Sequence, residues 1–150
     1  MSRTLQQPMV KTLIASNTVT ATGSSAAFSI GMADTYTFIL NVSAASGTSP
    51  TFDAVYQTSI DGGTTYIDIP WRHTQITAAG TNYLTVRLGL GIGEVGAEGA
   101  AADTGGTLAK PTVVDVAHMK LKYTLTATTP SFTFSLTLFA IGNGASSLLF

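Results

Sequence analysis

The sequence predicts an all-β protein, a jelly-roll-like β-sandwich of about eight to ten short antiparallel strands. Three observations carry that expectation. Apolar and polar residues alternate in many separate runs, no stretch of ten or more residues has helical spacing, and turn residues punctuate the runs at fairly regular intervals. Alternation means strand because successive side chains leave a strand on opposite faces, and an antiparallel sheet needs to bury only one of them. Two such sheets closed on one another hide their apolar faces and most of their edges.

A chain of 150 residues suits one domain with a single core. We divide it into an N-terminal arm over 1–11, a β-sandwich domain over 12–141 and a C-terminal tail over 142–150. In the arm, Pro8, Met9 and Val10 are candidate docking residues. Runs at 10–21 and 26–30 are weak strand signals. Tyr36, Phe38, Leu40 and Val42 form a clear one.

The small-residue stretch from Ser43 to Phe52 reads as a hairpin loop in which Pro50 opens the next strand, since a strand-initial proline forgoes no ladder hydrogen bond. Strand signals at 51–58 and 65–70 flank Asp61-Gly62-Gly63, a hairpin turn because glycine supplies the positive φ angles that tight turns demand. Further short runs follow at 73–77 and 82–88. The segment 89–111 then carries Gly89, Gly91, Gly93, Gly96, Gly99, Gly105 and Gly106 and shows neither strand nor helix period. It reads as a long loop, with Ile92 and Val95 as apolar anchors for a neighbouring subunit.

The run 112–117 is expected to continue into a strand that sets Met119, Leu121, Tyr123 and Leu125 against Lys120, Lys122, Thr124 and Thr126. Thr124 to Phe132 echoes the earlier hairpin loop, and a last strand sets Phe132, Phe134, Leu136, Leu138 and Ala140 against Ser131, Thr133, Ser135 and Thr137. The tail ends in Leu148, Leu149 and Phe150, three apolar side chains that a monomer would leave in water and that are the second candidate docking segment.

Composition narrows the function. Charged residues are 10% of the chain, against about 25% in ordinary soluble proteins, and serine and threonine make up about a quarter. Such a surface costs little to desolvate compared with one of lysine and glutamate, so neighbouring subunits can cover it. A net charge of -1 with scattered basic residues offers no footprint for nucleic acid. The chain has no cysteine, which excludes disulfides and thiolate metal sites, and the opening residues lack the apolar core of a signal peptide. No run of about 18 apolar residues offers a membrane span.

Catalytic spacings are missing: no Gly-x-Ser-x-Gly elbow, no phosphate-cradling loop, and His73 and His118 stand without a metal-ligating companion. Each reads as a structural or surface histidine. Asp61 and Asp68 fall short of the oxygen set that calcium requires, so the expectation is no enzyme, no cofactor and no metal. Trp71, Tyr66 and Tyr83 raise one rival reading, an aromatic platform for carbohydrate, although a lone tryptophan is more commonly core or interface.

Ser46-Gly-Thr-Ser-Pro-Thr-Phe52, then Tyr56-Gln-Thr-Ser-Ile-Asp-Gly-Gly-Thr-Thr-Tyr-Ile-Asp68, then His73-Thr-Gln-Ile-Thr77, resembles small structural proteins of tailed phages. Met119-Lys-Leu-Lys-Tyr-Thr-Leu-Thr126 and Thr129-Pro-Ser-Phe-Thr-Phe-Ser135 resemble the closing hairpin of the same proteins, while the Gly/Ala segment 89–111 departs from their pattern. The resemblance implies a virion component placed on the capsid surface, and the missing signal-peptide and membrane-span patterns lead us to expect synthesis in the host cytoplasm. It further implies a decoration or cement protein that is expected to sit as a homotrimer and to bind the major capsid protein. A tail, baseplate or fibre component is the rival within the particle.

Overall fold

The computed structural model describes residues 8–87, 94–98 and 114–142. It is all-β, with no helix among the described residues. Among the described residues seven strands run in chain order: β1 (Met9–Val19), β2 (Gly23–Ser24), β3 (Thr35–Ser59), β4 (Tyr66–Arg72), β5 (Gly80–Arg87), β6 (Glu94–Glu98) and β7 (Met119–Ile141). All pairings are antiparallel, in the order β1-β7-β3-β5-β6, with β2 added to β7 and β4 to β3.

The long strands β3 and β7 form a ribbon that holds the whole fold. Its register runs from Thr35↔Ile141 to Thr58↔Met119, with irregularities between Val42 and Thr51. Phe38 and Tyr56 belong to the same strand, and eighteen extended residues would separate them by about 60 Å. Their ring centroids are 4.4 Å apart. The ribbon therefore folds back on itself at the irregular stretch, and its two halves face each other across the core. One half carries β1, β5 and β6, and the other carries β2 and β4.

Alternation decides which side chains meet in between. Tyr36, Phe38, Leu40, Phe134, Leu136 and Leu138 point inward from the first half, and Phe52, Tyr56, Trp71, Met119 and Leu121 from the second; all are fully or almost fully buried. Phe52 meets three rings at once, 5.1 Å from Phe134, 5.2 Å from Phe132 and 5.7 Å from Tyr123.

Several expectations need correction. The stretches 43–52 and 124–132 are not two hairpin loops: they lie opposite one another as the two sides of the ribbon's bend, with Ser46↔Ser131 and Thr48↔Thr128 in register. Small residues and a proline mark a sharp change of direction, and such a change serves a bent ribbon as well as a hairpin. The echo is real at the backbone level, because Ser49 before Pro50 and Thr129 before Pro130 both take φ of 50°. Residues 26–30 and 73–77 contribute only the isolated bridges Phe28↔Met119 and Ile76↔Phe52. The strand expected to lead into Met119 is instead a turn at 116–118, where Asp115 caps the chain by accepting from the Ala117 amide and the His118 ring.

The segment 89–111 is not wholly structureless, since Glu94–Glu98 pairs with β5; ladder hydrogen bonds come from the backbone and leave no periodic signature in a Gly/Ala-rich stretch. Likewise β1 begins at Met9, so Met9, Val10 and Lys11 belong to the sheet and not to a free arm.

Candidate functional site

The candidate chemical groups are spent on holding the fold. Asp61 Oδ1 accepts from the Thr64 and Thr65 amides at 3.0 and 2.6 Å and from the Ser59 hydroxyl at 3.1 Å, while Ser59 Oγ accepts from the Gly63 amide at 2.7 Å. These bonds, the Thr65 amide foremost, pull the Asp61 carboxyl down to about 2. Gly62 and Gly63 have φ of 76° and 111°, so the turn expected from Asp61-Gly62-Gly63 is the one formed.

Asp68 has different partners: Gln57 Nε2 donates to it at 2.7 Å and Lys122 Nζ at 2.9 Å. Burial works against its charge, but these two donors hold its carboxyl below the ordinary range. Asp61 and Asp68 thus serve separate structural contacts, and among the described residues no group of three or more His, Asp or Glu is placed to hold a metal ion.

The two histidines also part company. His118 Nδ1 lies 2.8 Å from Asp115 Oδ2, the main cause that lowers the Asp115 carboxyl, and its ring packs on Gly63. His73 is 4% exposed, bonded through Nε2 to the Tyr56 hydroxyl at 2.9 Å, and burial drives its pKa down to about 4. Its Nδ1 and the Trp71 Nε1 find no partner among the described residues. Trp71 is fully buried, Tyr66 lies under the Lys120 ammonium at 4.2 Å on one outer face, and Tyr83 is exposed on the other. The three aromatics proposed as a sugar platform are not brought together.

What the fold does assemble is a pair of outer faces of opposite character. The second half turns outward Lys120, Lys122, Asp53, Asp68 and the Arg72 position: Lys122 pairs with Asp68, which also accepts from Gln57, Gln75 donates to both oxygens of Asp53 at 3.0 and 3.1 Å, and Lys120 lies over the Tyr66 ring. Charges this exposed and paired suit a surface left in water.

The first half turns outward Val10, Thr12 and Thr18 from β1, Thr133 to Ile141 at odd positions from β7, Thr35 to Asn41 at odd positions from β3, and Thr81, Tyr83 and Thr85 from β5. None of these carries a charge; the first charged positions are Arg87 and its register partner Glu94, at the end row. The hydroxyls bond across strands, Thr18 to Thr133 at 2.8 Å, Thr37 to Thr85 at 3.1 Å and Thr81 to Asn41 at 3.2 Å. A polar group already bonded within its own face loses less when water leaves.

Of the residues expected to dock, Pro8, Met9 and Val10 are exposed, with Val10 on this uncharged face and Met9 at its edge strand. Val95 lies in β6 opposite Val86. Ile92, Leu148, Leu149 and Phe150 lie outside the described residues. Missed by sequence reasoning were Ile39, Phe139 and Ile141, and Tyr83 was singled out only for a sugar platform; the signal was present, because Phe139 and Ile141 continue the polar face of Ser131, Thr133, Ser135 and Thr137 with apolar residues. Compared with protein-family models, with curated proteins and with solved structures, the chain finds no match in any of the three.

Proposed function

We propose that the chain is a non-enzymatic structural subunit of a tailed-phage particle, a decoration protein that cements the head shell, and that its uncharged face is the surface the assembly covers. The carrying observation is the contrast between the two outer faces, one charged and self-paired, the other free of charge from β1 to the Arg87 row. Supporting it is the sequence resemblance to small phage structural proteins. A ribbon of two long strands bent over a core is also the arrangement from which a jelly roll is made, and we read the fold as that kind of sandwich.

Cementing is mechanical: a subunit that buries area across capsomer junctions adds contacts that must all be lost before the shell opens. The test is to mix the purified chain with tailed-phage heads assembled without it. Saturable co-sedimentation and a higher temperature of head opening are expected. Absence of binding to heads, or binding confined to tails, would contradict the proposal.

A further inference from the structure

The apolar side chains of the uncharged face lie in a line. Val10 of β1 is in register with Phe139 of β7, Phe139 with Thr37 of β3, and Ile39, the next residue on that side of β3, with Tyr83 of β5. A diagonal stripe of Val10, Phe139, Ile39 and Tyr83 therefore crosses four strands, flanked by Ile141. In the single chain its ends are open to solvent, Val10 59% exposed and Tyr83 43%, as is the flanking Ile141 at 45%, while Ile39 and Phe139 between them are half-buried.

We propose that this stripe is a two-fold contact between two copies of this chain, packed face to face, in place of the homotrimer that the resemblance implies; the proposal rests on the reading that the uncharged face is covered in the assembly. Three arguments select a second copy. A straight stripe is its own complement, since a two-fold axis lying in the interface along or across it superposes it on its copy, whereas a different partner would have to supply a matching one. The face bears no charge short of the Arg87 row, so two copies meet without like-charge repulsion, and their self-paired charged faces stay in water.

Area is the third argument. Four strands about 4.8 Å apart and about nine residues long at ~3.4 Å each make a face of about 600 Å², or about 1,200 Å² for the pair. That is the lower edge of what a stable interface buries, which fits a concentration-dependent pair and not a permanent one. Aligned packing of two sheets suits such flat faces, with Thr12, Thr37, Thr85 and Thr137 around the stripe already bonded or small enough to be covered.

The experiment is sedimentation velocity of the full chain over about 1 to 100 μM, the range a contact of this size calls for. The unaltered protein is expected to pass from monomer to dimer. Ile39→Asp and Tyr83→Asp each weaken the pair at least tenfold, and Lys122→Ala on the charged face leaves it unchanged. Thermal unfolding of each variant checks that the fold survives, and Tyr83, at the more exposed position, keeps the test valid if Ile39→Asp does not fold. A chain that stays monomeric throughout overturns the proposal, as does a trimer or dimer that both substitutions leave intact. If the chain stays monomeric while Tyr83→Asp abolishes binding to heads, the shell covers the face: the two-fold contact is wrong and the decoration reading stands.

Discussion

Gly63 shows how much a single position carries. Its φ of 111° is one that side chains rarely adopt, and a Cβ there would come within 2.9 Å of the His118 ring. Gly63→Ala should cost about 1–3 kcal/mol in urea unfolding, more than Gly62→Ala, whose added methyl meets nothing within 4 Å. His73 makes a second residue-scale prediction. Its pKa falls from 6.5 to about 4 because burial disfavours the cation. Between those values the unfolded chain binds a proton that the folded one does not, so stability falls as pH drops through that window, by up to about 3 kcal/mol. His73→Gln should flatten that slope in melting curves taken from pH 7 to 4; an equal slope in both proteins would mean that the ring is protonated in the fold. Asp61 acts lower, its contribution present above about pH 4 and lost as pH falls toward about 2. The sequence marked Asp61-Gly62-Gly63 as a turn because the turn's demands are local. It did not reveal that His118 braces the turn, since that contact joins residues over fifty positions apart.

At the scale of elements, the bend in the ribbon is the feature on which the rest depends. Gly47 has φ of 119°, and a Cβ there would lie 3.1–3.2 Å from backbone atoms of Thr128, Thr129 and Pro130 on the facing strand. Gly47→Ala should cost about 1–3 kcal/mol, whereas Thr129→Gly, relieving a φ of 50° on a β-branched residue, should be neutral or stabilising by up to about 1 kcal/mol in the same assay. On the inside of the bend, Phe52→Ala empties the joint among Tyr123, Phe132 and Phe134 and should cost about 3–5 kcal/mol. The strands over 36–42, 119–126 and 131–140 were legible because alternation is a local consequence of one buried face. That β3 and β7 each run through the bend unbroken was not, because pairing across the bend is a long-range backbone matter: small residues with proline announce a turn without saying whether the chain reverses or merely folds. For the same reason β6 hid in a glycine-rich stretch, and the turn at 116–118 passed for strand.

For the whole molecule, what matters is how polar and charged groups are distributed. The composition announced a surface that could be covered, and the fold sorts it, placing Lys120, Lys122 and Asp68 on one side and the Thr-rich stripe-bearing face on the other. The termini expected to dock were legible only as exposed apolar residues, and of these Val10 joins the stripe. The central claim, that the uncharged face is the one an assembly covers, is tested most directly by hydroxyl-radical footprinting of the chain free in dilute solution and bound to phage heads. Oxidation of Tyr83, Phe139 and Ile141 should fall on assembly while Tyr66, on the charged face, keeps its free-state rate. Protection of Tyr66 with Tyr83 and Phe139 unchanged would contradict the account.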